Sequence, residues 1–221
     1  MKHLLSTRLW HWVNAVALVV LFMSGLNISN AHRYLYWGNY GFDPADAWAK
    51  VMRFPAWATI PQRYDLAEAR DWHNLAAWPF ALGLLVIWAA MLANGHFRRR
   101  LATCPADWTP RAVIASLRAH AGGDAGAGHY NPMQRILYGL VFGVLLPAMV
   151  LTGLAISPGI EPAMPWLVEI LGGRQSARSL HFITAWGLFG FVVIHVVLAL
   201  TDWRRIAGMV TGRSPEETIH G

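Results

Sequence analysis

A single cysteine, Cys104, stands alone in 221 residues. An intrachain disulfide is thereby excluded, and so are haem attachment through C-x-x-C-H and an iron–sulfur cluster held by this chain's own thiolates. Charge is scarce too: Asp, Glu, Lys and Arg make up 14% of the chain and hydrophobic residues 55%, at a mean hydropathy of +0.34. Soluble domains carry about a quarter charged residues, so the deficit points to a membrane protein. The deficit is also concentrated. Leu9 to Ala31, Trp72 to Phe97, Ile136 to Ile160 and Ser179 to Thr201 contain no Asp, Glu, Lys or Arg at all. Each can cross roughly 30 Å of hydrocarbon as a helix. The expected fold is all-α: one membrane domain over residues 1–221, a four-helix bundle with spans at about 9–31, 72–97, 136–160 and 179–203 and short interfacial helices in the outer loops.

Four spans put both termini on one side, and the basic residues choose which. With the termini cytoplasmic, that side holds 11 of the 18 Lys and Arg, including Arg98, Arg99 and Arg100, and carries a net +6 against zero outside. The high pI, near 10.0, therefore reports membrane orientation, and a nucleic-acid partner is not expected. Ser29-Asn30-Ala31 loosely fits a signal-peptidase site, but the apolar run before it exceeds the roughly 7 to 15 residues of a signal peptide's core, so the first segment reads as a retained span.

The outer loop from Asn30 to Asp71 is rich in aromatics and proline, too aromatic for a slack linker. A short interfacial helix is expected around Asp46 to Arg53, with Trp and Tyr at headgroup depth. The inner loop, Arg98 to Arg135, includes the flexible tract "HAGGDAGAGH", and the second outer loop, Pro158 to Arg178, has the apolar turn "PAMPWLVEIL", too short to span. Pro79 and Pro147 are expected to kink their spans. No long internal repeat is evident.

Ten histidines occur, and four of them, His11, His73, His181 and His195, fall within the spans. A lone intramembrane imidazole can be an interhelical hydrogen-bonding group, but polar side chains at this depth are costly and by default suggest function. His181 and His195 are 14 residues apart. On a helix that is about 21 Å of rise and about 40° short of four turns, so they share a face at different depths. Following the chain back and forth, His11 pairs in depth with His195 near the inner surface, and His73 with His181 near the outer one. Two neutral imidazoles on opposite helices suit an iron porphyrin held between them in a bundle core. Zinc suits them less, because structural zinc takes four ligands and the spans supply no Cys, Asp or Glu. The expectation is two non-covalent b-type haems.

A short repeat accompanies three of these histidines: Arg8-Leu-Trp-His11, Arg70-Asp-Trp-His73 and Arg178-Ser-Leu-His181. At i and i+3 both side chains share a face, with the arginine a turn nearer water. Arg8, Arg70 and Arg178 are thus candidates for haem propionate contacts, the planar guanidinium being matched to a carboxylate. Snorkelling arginines that only anchor a span end are the ordinary alternative. Gly25, 14 residues after His11, lies on the same face at the outer level, where either a porphyrin edge or close helix packing calls for a missing side chain. His3, His32, His120, His129 and His220 sit in loops or tails and His96 at the very end of the second span; His32 and His96, nearest the membrane boundaries, are the substitutes should one of the four not be a ligand.

Four spans, histidines in the first, second and fourth, and the 14-residue spacing resemble the di-haem cytochrome b subunits of bacterial respiratory enzymes: nickel–iron hydrogenase, formate dehydrogenase, thiosulfate reductase and the broader bacterial cytochrome b561 group. The stretches "SGLNISNAH", "GHFRR", "YNPMQR", "TGLAISP" and "GGRQSARSLHF" are similar to cytochrome b/b6-domain proteins. The resemblance implies electron transfer across the bacterial inner membrane between a quinone pool and a periplasmic oxidoreductase, a molybdopterin enzyme or a c-type cytochrome. It also implies quinone contacts from Asn131 and Gln134, although Pro132 and Met133 stand where a relative has small residues, and both polar residues could instead cap the third span. Two other readings compete. One is a stand-alone quinone oxidoreductase of the same group acting on a small oxidant such as superoxide. The other is a haem-handling or transport protein, against which stands the absence of membrane-depth charges.

Overall fold

The structure is a computed structural model, and it describes residues 5–95, 109–112, 114–115, 132–200 and 203–212. Helices α1 (Leu5–Ala31), α2 (Leu66–Ala93), α3 (Pro132–Leu140), α4 (Leu146–Ile156), α5 (Pro165–Ile170), α6 (Arg174–Leu200) and α7 (Trp203–Thr211) form its framework. Four helical stretches are long and apolar enough to cross a membrane: Thr7–Ala31, Leu66–Ala93, Ile136–Ile156 and Arg174–Leu200. The chain is a multi-pass membrane protein built as an all-α bundle.

The charge-free runs do not coincide with the helices. α2 starts at Leu66 rather than Trp72, because Asp65 caps it, its carboxylate accepting the Glu68 N–H at 3.0 Å. The first turns of α2 carry Glu68, Arg70 and Asp71, so a charge-free window locates the hydrocarbon and misses the part of the helix standing in water. α6 likewise begins at Arg174, right after Gly172 and Gly173 at φ +78° and +108°. α4 ends at Ile156 instead of residue 160, since Ser157 precedes Pro158 and takes an extended backbone, ψ 118°.

Pro147 is accommodated by a π turn, Val141–Leu145, which joins α3 to α4. The proline ring would crowd the carbonyl four residues back, and the wider turn relieves that crowding. Leu146 N–H bonds to Val141 O, five residues back. Pro79 is contained within α2 without ending it.

α1 packs along α2, and α4 along α6. Leu84, Val141, Leu146 and Leu188 join α2 to the π turn, α4 and α6 in one buried cluster. Phe22 of α1 stacks on Phe189 of α6 at 4.4 Å, closing the other seam.

The loop between α1 and α2 departs from expectation. No helix covers Asp46 to Arg53; Ala49–Lys50 is a strand, β2, paired antiparallel with β1 (Tyr34–Leu35). The side chains explain it: Val51 is buried between exposed Lys50 and Met52, an alternation of period two, and Pro44 and Pro55 bracket the segment. Leu35, Val51 and Phe54 bury themselves against Leu26 at the end of α1. Short helical turns stand elsewhere in the loops, at Pro44–Asp46, Ala56–Ala58 and Glu161–Ala163, and the apolar turn of the second loop is α5.

This loop is fastened to the start of α6. Gly38 O accepts the otherwise unpartnered N–H groups of Gln175 and Ser176 at 2.9 and 3.2 Å, and Gly38 N–H donates to Ser176 Oγ at 2.7 Å. Ser179 is fully buried, accepting from Trp48 Nε1 at 3.0 Å and donating to Tyr36 O at 2.7 Å. The approach leaves no room at Gly173, where a Cβ would come within 2.5 Å of Gly38's carbonyl. We call this the loop end of the bundle; α7 marks the opposite end.

Candidate functional site: two facing histidine pairs

At the loop end, the His73 ring of α2 faces the His181 ring of α6, with centroids 6.2 Å apart. At the opposite end, His11 of α1 faces His195 of α6 at 6.3 Å. Helix direction dictates this arrangement, because α6 presents both its histidines on one face and its neighbours run past that face in opposite senses.

The separation is chemically informative. With roughly 2 Å from a metal to each ring nitrogen and about 1 Å more to each ring centre, two imidazoles on opposite sides of one ion stand about 6 Å apart. Among the described residues no group of three or more His, Cys, Asp or Glu converges on a point, so a tetrahedral protein-only metal site is not formed. A pair of axial imidazoles fits a planar macrocycle that supplies the remaining ligands itself.

Around the loop-end pair the polar contacts are specific. His73 Nδ1 lies 3.0 Å from Ser24 Oγ, and His181 Nδ1 lies 2.9 Å from Thr152 Oγ1. Both hydroxyls are buried, at 0% and 1% exposure, and both already donate to a carbonyl of their own helix: Ser24 to Val20 O at 2.6 Å and Thr152 to Ala148 O at 2.5 Å. A hydroxyl has one proton to give. Each oxygen therefore accepts from Nδ1–H, and the lone pair of each imidazole is left on Nε2. Gly25 and Gly153 follow these residues in the chain, and a Cβ there would meet the Cε1 atoms of His73 and His181 at 3.6 and 3.4 Å. Those are ordinary contacts, so the imidazoles alone do not demand glycine. At the opposite end the surroundings differ: His195 stacks on Phe191 at 5.9 Å, and His11 meets Trp12 edge-on at 5.2 Å.

The arginines diverge. Among the described residues neither Arg70 nor Arg178 has a carboxylate partner; Arg178 donates to Gln175 Oε1 at 2.9 Å and Arg70 Nη2 contacts His32 Nε2 at 3.4 Å. Nearby acids are taken elsewhere, Glu161 by Arg174 and Glu68 by Arg63. The loop end thus holds uncompensated cations one turn beyond its histidine pair, as a group bearing carboxylates would require. Arg8 is different. Its Nε donates to Met209 O at 3.0 Å and its Nη2 to Val210 O, so its guanidinium is committed to the last carbonyls of α7. Of the other sequence candidates, Asn131 and His96 lie outside the described residues, and Gln134 stands in the first turn of α3.

Two residues beside the site escaped the sequence reading, Ser24 and Thr152, and a third, His32, was singled out only as a substitute ligand. The hydroxyls had a signal, the repeated string S-G-L-x-I-S at Ser24 to Ser29 and T-G-L-x-I-S at Thr152 to Ser157. His32 had none beyond its nearness to a membrane boundary.

Comparison with known proteins shows the family. The pattern of the family described as prokaryotic cytochrome b561 matches residues 2–212. A "Probable Ni/Fe-hydrogenase B-type cytochrome subunit" from Cupriavidus necator is 29% identical over 211 residues, 88% of this chain and 76% of the relative. A protein from Azospira oryzae named "Putative protein-methionine-sulfoxide reductase subunit YedZ1" is 29% identical over 208 residues, 93% of each chain. One from Escherichia coli named "Putative cytochrome YdhU" is 27% identical over 233 residues, 97% of this chain and 69% of the relative. No solved structure matches. A four-span bundle with intramembrane histidines facing one another, matched by one family along almost its whole length, is a membrane-embedded b-type cytochrome, and the chain belongs to the prokaryotic cytochrome b561 family.

Proposed function

We propose that this cytochrome is a di-haem subunit that carries electrons across the bacterial inner membrane between a quinone pool and an oxidoreductase docked at the loop end, with both termini cytoplasmic. His73 and His181 hold one haem, and His11 and His195 the other. Haem bound in each place supplies one-electron exchange. The observation carrying this reading is the pair of facing imidazole sets, 6.2 and 6.3 Å across, at opposite ends of the bundle. The 14 residues between His181 and His195 correspond to about 21 Å of helix rise, most of the hydrocarbon thickness. Electrons can thus enter near one surface and leave near the other.

The remaining side chains have separable tasks. Arg70 and Arg178, lacking carboxylate partners among the described residues, receive the propionates of the loop-end haem, and His32 stands beside them. Arg8 would have to release the α7 carbonyls to serve the other haem. Asn131 and Gln134 are assigned the quinone on the resemblance alone. The exposed loop-end aromatics, Trp37, Tyr40, Phe42 and Trp57, offer a surface for the partner. Relatives bear the names of subunits of a nickel–iron hydrogenase and of a protein-methionine-sulfoxide reductase, and the equal coverage of the second favours a reductase as partner; a molybdopterin enzyme is assigned on the resemblance alone.

The test is a pyridine haemochromogen assay with separate His73→Ala and His195→Ala variants. We expect two b haems per chain, with each variant losing a different redox component. One haem per wild-type chain would sink the di-haem reading, and loss of both components from either single variant would undo the pairing.

A further inference from the structure

Resting on the ligand assignment above, we infer that Ser24 and Thr152 are positioning residues of the loop-end haem: their hydroxyls fix the tautomer and rotation of His73 and His181 and thereby tune the iron they share. The geometry carries this inference. Each oxygen accepts Nδ1–H from an imidazole on the neighbouring helix while anchored by its own proton to a carbonyl of its own helix. The ring cannot turn without breaking a buried hydrogen bond, which leaves a desolvated donor unsatisfied. Nε2 is thereby left as the lone-pair nitrogen of each ring. A hydroxyl accepting from Nδ1–H also makes the ring a stronger electron donor, which favours ferric iron.

The two hydroxyls are equivalent positions of an internal repeat. Ser24-Gly25-Leu26-Asn27-Ile28-Ser29 in α1 corresponds to Thr152-Gly153-Leu154-Ala155-Ile156-Ser157 in α4, and Ala69-Arg70-Asp71-Trp72-His73 in α2 to Ala177-Arg178-Ser179-Leu180-His181 in α6. Burial follows the correspondence. Ala69 and Ala177 are both 0% exposed, and Asn27 and Ala155 are 2% and 1% exposed. The pair α1 and α2 therefore matches the pair α4 and α6, and exchanging the halves exchanges His73 with His181 and Ser24 with Thr152. His11 and His195 have no such counterparts, since the matching positions are Gly139 and Ile87. The loop-end pair thus consists of two alike imidazoles, each with its own hydroxyl, whereas rings of Phe191 and Trp12 stand beside the other pair.

The test uses the haem-loaded protein and compares Ser24→Ala and Thr152→Val, which delete the acceptor, with Ser24→Thr and Thr152→Ser, which keep it. Redox titration of the visible bands resolves the two components, and the loop-end one is identified by its loss in His73→Ala. In the deletion variants we expect the ferric-to-ferrous ratio of that component, at fixed ambient potential, to fall about tenfold, or about 59 mV for one electron. The other component stays in place, and the conservative variants titrate as wild type. The g-values of the loop-end ferric centre should move in the same variants only. Unmoved potentials, or equal shifts of both components, overturn the inference. Should Thr152→Val shed the haem, Thr152→Ser decides: retention at the wild-type potential supports the inference and loss overturns it. If His73→Ala keeps both components, the ligand reading itself has failed; if it loses one while the hydroxyl variants change nothing, only the present inference falls.

Discussion

Arg70, on α2, places its Nη2 3.4 Å from Nε2 of His32, one residue beyond the end of α1. A guanidinium has only protons to offer, so Nε2 is the acceptor and the ring is neutral. Burial first, then Arg178 and Arg70, hold the His32 pKa down to about 4 from an ordinary 6.5. The folded pKa lies below the unfolded one, so the unfolded chain takes up the proton first as pH falls. This contribution to stability is complete above about pH 6.5 and is lost on descending towards pH 4. In haem-free protein, thermal unfolding across that window should show a steeper loss for wild type than for His32→Gln. With carboxylates bound at Arg70 and Arg178 the cationic form is favoured again, and the difference should shrink in haem-loaded protein.

Ser179→Ala is expected to loosen the aromatic loop from α6. The alanine leaves Trp48 Nε1–H, on a partly exposed ring, without its acceptor and the buried Tyr36 O without its donor. An orphaned buried group costs about 1–3 kcal/mol. Limited proteolysis should cut residues 32–65 faster in the variant, while the redox component lost in His195→Ala stays unchanged. Equal cleavage rates would mean that Leu35, Val51 and Phe54, packed on Leu26, hold the loop without this bond.

The spans and histidines were legible because membrane insertion writes them in plain chemistry: charge is forbidden over some twenty residues, and each imidazole breaks that rule conspicuously. The pairing of His73 with His181 followed from helix rise and chain direction. What stayed hidden depends on two helices at once. Ser24 and Thr152 look like ordinary small residues in a span, since serine and threonine satisfy themselves on the carbonyl four residues back, and only the neighbouring helix reveals the second bond. The other commitment of Arg8 was hidden for a related reason. Its spacing from His11 copies that of Arg70 and Arg178, but the end of α7, distant in sequence, competes for its donors. In the outer loop, the alternation around Val51 was masked by a composition that reads equally well as an interfacial helix.

Arg8→Gln should free the C-terminal end of α7. The guanidinium bonds to Met209 O and Val210 O, and Trp12 Nε1 donates to Met209 O at 3.3 Å. A cation on the last carbonyls of a helix contributes about 0.3–1 kcal/mol where solvent reaches it. Amide exchange over 203–211 should quicken in the variant, and the haem identified by His73→Ala should be unaffected. If the haem identified by His195→Ala is lost instead, Arg8 serves a propionate after all and leaves α7 when the haem binds.

Gly153 separates helix packing from room for a cofactor. Glycine inside a helix costs about 1 kcal/mol relative to alanine, and a Cβ at residue 153 would rest 3.4 Å from His181 Cε1 with no clash. In haem-free protein Gly153→Ala should therefore unfold at the same or a higher temperature than wild type. Were close packing the reason for this glycine, the same substitution would destabilise. Gly153→Leu pushes a branched side chain towards the space between the His73 and His181 rings, and there it should expel the loop-end haem, halving the haem per chain and removing the component that His73→Ala also removes. Retention of both haems in the leucine variant would show that the space beside Gly153 is not occupied by the macrocycle. Gly25 is the equivalent position on α1, where a Cβ would rest 3.6 Å from His73 Cε1, and it should respond in the same way, because the repeat sets each glycine against an imidazole of a neighbouring helix.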